Sequence, residues 1–112
     1  MSRSKIKLLH SRVTTDGIDR TPHRAFLRGM GLDDETIAQP SIGIVTTAGE
    51  TTPCVMDLAP QAKAAKQGVK DAGGTPREFT TISVSDGLSM NHQGMKFSLV
   101  SREVIADSVE LV

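Results

Sequence analysis

Tryptophan and tyrosine are absent from this 112-residue chain, and its aromatics reduce to Phe26, Phe79 and Phe97. Apolar residues make up 38%, against the ~45–50% usual in globular domains. Such a chain forms one modest domain at most, with a small core. A single cysteine, Cys54, excludes an internal disulfide and leaves a free thiol, compatible with a reducing compartment. No run approaches the ~18–20 apolar residues of a membrane span, and Met1 to Lys5 leads into no long hydrophobic segment, so the expected location is cytoplasmic. Thirteen basic and thirteen acidic side chains cancel. Net charge therefore favours neither nucleic acid nor an anionic membrane as partner. There is no His-Glu-x-x-His, Gly-x-Ser-x-Gly or Walker pattern, and Gly73-Gly74 ends a helix instead of joining a strand to one.

What is present alternates between strand-like and helix-like patterns. Residues 1–20 are polar and broken by Gly17, and are expected as an extended arm. Thr21-Pro22 starts a helix, with Thr able to cap and Pro tolerated in the first turn. That helix should turn Ala25, Phe26 and Met30 inward and stop at Gly29 or Gly31. Asp33-Asp34-Glu35 places acids at the start of a second, short helix, and Pro40 breaks the chain. Ser41 to Thr47 is β-branched and mostly apolar, which predicts a strand buried on both faces. Leu58 to Ala72 has helical spacing, with Ala62, Ala65 and Val69 on one side and Lys63, Lys66 and Lys70 on the wet side. Gly73-Gly74 stops it, and Phe79 to Val84 forms the second strand. Strand, helix, strand is a βαβ unit with parallel strands, so the fold class is α/β. The last helix opens at Ser101-Arg102-Glu103 and shows no stop signal by Val112, as expected of the N-terminal part of a larger α/β domain.

Two loops concentrate the chemistry. Thr51 to Leu58, carrying Cys54, follows the first strand, and Ser83 to His92, carrying Asp86, follows the second. Parallel strands finish at one edge, where open α/β sheets place their sites. A thiolate is a soft ligand and a carboxylate a hard one, so together they fit a site that handles two different metals. The plainer alternatives are a packed cysteine and an Asp-Gly turn. With no Cys-x-x-Cys pair, the chain cannot complete a zinc site or an iron–sulfur cluster by itself. His92 either reaches a substrate or sulfide or fixes its loop through the backbone, while His10 and His23 are expected to be solvated. Arg102 either meets a substrate carboxylate or, as the simpler expectation, forms a salt bridge.

Taken in order, several segments resemble the dihydroxy-acid dehydratase family, which includes phosphogluconate dehydratase and the sugar-acid dehydratases. They are Thr14 to Gly17, Thr51 to Cys54, Ala72 to Gly74 with Glu78-Phe79, Ile82 to Gly87, Met90 to Met95 and Ser98 to Ser108. The resemblance implies a lyase that dehydrates 2,3-dihydroxy acids to 2-oxo acids, with the precursors of valine and isoleucine as first-choice substrates. It also implies an iron–sulfur cluster (2Fe-2S or 4Fe-4S) as Lewis acid, Mg²⁺ and a homodimer. By position, Cys54 matches the first cluster cysteine and Asp86 a Mg²⁺-binding aspartate. Val55 and Asp57 stand where the family often has Asn and His, which leaves a sugar acid or 6-phosphogluconate open as substrate. The family's other cysteines, a Mg²⁺-binding glutamate and the serine proposed as base are expected beyond Val112, so the chain alone should be inactive. The rival is a non-catalytic α/β remnant.

Overall fold

The computed structural model describes residues 9–112. In order they form α1 (Arg12–Thr15), a 3₁₀ turn (Ile18–Arg20), α2 (Thr21–Gly29), α3 (Asp34–Ala38) and β1 (Ser41–Thr46). A 3₁₀ turn (Pro53–Val55), α4 (Leu58–Asp71), β2 (Thr75–Thr80), α5 (Asp86–Ser89), a 3₁₀ segment (Gln93–Phe97) and α6 (Ser98–Leu111) follow. The two strands pair in parallel, as the constant register of two bonds shows: Thr75 N–H donates to the Pro40 carbonyl at 2.8 Å, and Thr81 N–H to that of Thr46 at 3.0 Å. With α4 between them, this is the expected βαβ unit.

The second strand begins earlier than expected, at Thr75 in place of Phe79. Its partner explains the shift. β1 stops at Thr46, where the Thr46 hydroxyl accepts the Ala48 amide at 3.1 Å and turns the chain away. Among the described residues, Ile82 to Val84 then has no strand alongside. Pro76 is tolerated because in a parallel pair alternate residues bond the neighbour, and Thr75, not Pro76, does so here. β1 itself is largely exposed, not buried on both faces, because a two-stranded sheet leaves most of its surface uncovered.

By its contacts the chain divides into two units, one reaching to Ile42 and including Gln67–Arg77, the other comprising Gly43–Lys66 and Glu78–Val112. Both strands and α4 contribute to each. In the first unit, residues 1–8 of the expected arm lie outside the described residues, and the rest is turned, not extended. Arginines hold it. Arg24 donates to the carbonyls of Thr15 and Gly17, each at 2.7 Å, Arg20 to that of Val13 at 2.8 Å, and Arg12 pairs with Asp16 at 2.7 Å. Thr21 lies inside α2 and donates its hydroxyl to the Ile18 carbonyl, so it does not cap. Phe26 and Met30 are outward, at 77% and 59% exposure, against expectation. α3 has a full capping box between Asp33 and Thr36. Buried Thr75 ties the start of β2 to α3 through a 2.6 Å bond to the Thr36 carbonyl. Gly73 takes φ +82° to end α4, and a Cβ on Gly74 would lie 2.9 Å from Val69 Cγ1.

In the second unit, Ala62 of α4 and Val55 are the buried apolar residues. Ala65 is exposed. Lys66 is not purely a solvent-facing residue, since its ammonium meets Glu78 of β2 at 2.8 Å. α6 starts at Ser98, a turn before the expected Ser101.

Candidate functional site

The second unit holds a cavity of about 390 Å³ at the carboxyl ends of the strands. Its walls come from the loop after β1 (Thr52, Cys54), the loop after β2 (Ser85, Asp86) and the first turns of α6 (Ser98, Arg102), among others. The sulfur donor and the oxygen donor singled out from sequence therefore line one space.

Each is presented by a locally determined turn. Thr52 is 4% exposed, and its hydroxyl accepts the Cys54 amide at 3.1 Å, capping the 3₁₀ turn. Pro53 fixes the first φ of that turn, and Val55 anchors its far side in the core. Cys54 sits between these buried neighbours and is itself exposed. It is not the packed hydrophobe of the plainer alternative. Asp86 opens α5, whose start is capped by the Ser85 hydroxyl accepting from the Leu88 amide. Its carboxylate is exposed to solvent and accepts a 2.6 Å bond from the Ser98 hydroxyl.

His92 follows its structural alternative. Its Nδ1 accepts from the Gly94 amide at 3.0 Å and its Nε2 lies 2.6 Å from the Leu88 carbonyl, so both ring nitrogens serve the loop. Asn91 reaches this arrangement with φ +63°, a left-handed conformation that Asn tolerates. His10 and His23 are exposed, as expected. Arg102 corrects the simpler expectation: among the described residues it forms no salt bridge, and it lines the cavity instead. Thr52 and Ser98 were not singled out from sequence. Thr52 was legible as a hydroxyl two residues before the cysteine, whereas Ser98 meets Asp86 only through the fold.

The donor set fits a metal site in part. A soft thiol and a hard carboxylate face one cavity, and the Arg102 guanidinium stands with them. Among the described residues, however, no three His, Cys, Asp or Glu side chains gather as a potential metal cage.

Comparison with known proteins places the chain. The model of the dihydroxy-acid/6-phosphogluconate dehydratase N-terminal region matches residues 39–112, from the end of α3 to the end of α6. The chain belongs to this family. Among its relatives, dihydroxy-acid dehydratase 3 of Bradyrhizobium diazoefficiens is 65% identical over 109 residues, which cover 97% of this chain and 19% of that protein. Dihydroxy-acid dehydratase of Pelagibacter ubique is 52% identical, covering 99% and 19%. That of Mycobacterium bovis is 58% identical, covering 91% and 18%. The chain thus spans about a fifth of the length of the curated relatives it matches. Within the family match lie both strands, both chemistry-bearing loops and α6.

Proposed function

We propose that the chain is the N-terminal part of a hydro-lyase that converts 2,3-dihydroxy acids to 2-oxo acids, as a dihydroxy-acid dehydratase of branched-chain amino-acid synthesis. The observation that carries this reading is the meeting of Cys54 and Asp86 at one cavity, inside the region matched by the family model. The names of these relatives favour a dihydroxy acid over 6-phosphogluconate. On this reading Cys54 is one ligand of an iron–sulfur cluster and Asp86 one ligand of Mg²⁺, with the remaining ligands supplied by the rest of the complete protein, a cytoplasmic homodimer.

The overall reaction removes hydroxide from C3 and a proton from C2 of the substrate, together one water, leaving an enol that tautomerises to the 2-oxo acid. When bound, the cluster supplies a Lewis acid for the departing hydroxyl, and Mg²⁺ a chelating cation for the acid's carboxylate and C2 oxygen. The protein residues supply position. The Thr52 cap fixes the backbone of Cys54, so the sulfur is presented without ordering a loose loop. Asp86 offers a carboxylate already held by Ser98. Arg102, with no acidic partner among the described residues, can bind the substrate carboxylate through a planar, two-pronged donor pair.

The test uses the complete protein purified without oxygen. Cys54→Ser should abolish the cluster's visible absorbance together with turnover of 2,3-dihydroxyisovalerate. Asp86→Asn should keep the absorbance and raise the Mg²⁺ concentration needed for turnover by about 100-fold or more. A cluster retained in full by Cys54→Ser would reject the assignment. Preferred turnover of 6-phosphogluconate would move the protein to the other branch of the family, and a complete protein with neither activity would favour a non-catalytic remnant.

A further inference from the structure

We propose that Ser98 is a positioning residue for Asp86, setting the carboxylate rotamer so that one oxygen is presented to a divalent cation. The proposal rests on the dehydratase reading of Asp86 and goes beyond it by assigning a residue that supports the ligand. Ser98 is the first residue of α6 and is half-buried. Its hydroxyl donates to Asp86 Oδ1 at 2.6 Å. Its own carbonyl accepts from the buried Ser101 hydroxyl at 2.7 Å, so the donor is itself fastened to the helix. The bond spans two separate elements, α5 and α6, which makes it a tertiary restraint, not a local cap.

A carboxylate has two oxygens and about four acceptor positions. Ser98 occupies one on Oδ1, while Oδ2 accepts no hydrogen bond among the described residues. An exposed aspartate otherwise samples several rotamers, and a cation must select one at a cost in side-chain entropy. The Ser98 bond makes that selection beforehand. It also fixes which oxygen is left for the metal, in the way hydrogen-bond partners of metal ligands generally set ligand orientation.

The experiment measures Mn²⁺ binding to the complete, cluster-loaded protein by the electron paramagnetic resonance of free Mn²⁺, with visible absorbance reporting the cluster. Ser98→Ala should weaken Mn²⁺ by about 10–100-fold and leave the absorbance unchanged. Ser98→Thr, which keeps the hydroxyl, should bind within about threefold of the native protein, while Ser98→Val, of the same shape as Thr, should match Ala; this pair remains decisive if Ala disturbs the start of α6. Native affinity in Ser98→Ala or Ser98→Val alongside lost affinity in Asp86→Asn would overturn the positioning role alone. Native affinity in Asp86→Asn would overturn the cation assignment and the positioning role with it.

Discussion

Arg102 is the residue whose surroundings say most about ligand chemistry. A guanidinium on a protein surface commonly finds a carboxylate, yet Arg102 finds none among the described residues and lines the cavity that holds Cys54 and Asp86. Hydrogen bonds to charged groups contribute about 1.5–3 kcal/mol, or about 10- to 100-fold in affinity. On the dehydratase reading, Arg102→Ala in the complete enzyme should therefore raise KM by that factor, with a smaller effect from Arg102→Lys, which keeps charge but loses the fork. Steady-state kinetics decides, and an unchanged KM would place the substrate carboxylate elsewhere. This role was legible from sequence only as one of two options. An arginine on a helix shows its partner, or lack of one, only after folding.

The elements owe their ends to local chemistry, and these were the legible part. Asp33 was expected at the start of a short helix, and it caps α3 by accepting the Thr36 amide at 2.9 Å. That backbone bond, followed by the one from the Thr36 hydroxyl, holds the Asp33 carboxyl below its ordinary range. A depressed folded value means the cap contributes fully above the unfolded value and is lost as pH falls through the lower folded one. A carbon-13 titration of the Asp33 carboxyl should thus show a midpoint below that of an ordinary aspartate, and Asp33→Asn, which can still cap, should remove this acid dependence while keeping α3. A midpoint at or above the ordinary value would contradict the cap. The start of β2 was misread for a different reason. Thr75-Pro76-Arg77-Glu78 has turn-like and charged residues, and only the presence of β1 beside it makes it a strand. Phe26 and Met30 misled in the same way: their helical spacing marks an apolar stripe, but a stripe does not state what covers it.

For the whole molecule, the shortage of apolar and aromatic residues has a direct counterpart. Val55 and Ala62 are the buried apolar side chains among the described residues, and no large side chain among them is completely enclosed. A core so small offsets little of the ~1–2 kcal/mol per residue of backbone entropy lost on folding. The 112-residue polypeptide on its own should therefore show no sharp cooperative thermal transition in circular dichroism and should not dehydrate 2,3-dihydroxyisovalerate; a steep transition or measurable turnover would contradict this. By itself the sequence determined the βαβ order, the glycine stops of α2 and α4, and the two loops that carry a thiol and a carboxylate. These depend on neighbours a few positions away and on the handedness of one crossover. Only the tertiary structure decided that Ser98 holds Asp86 and that Arg102 joins the cavity with no salt bridge among the described residues. Those outcomes rest on side chains brought together from separate elements, and sequence spacing carries no measure of that distance.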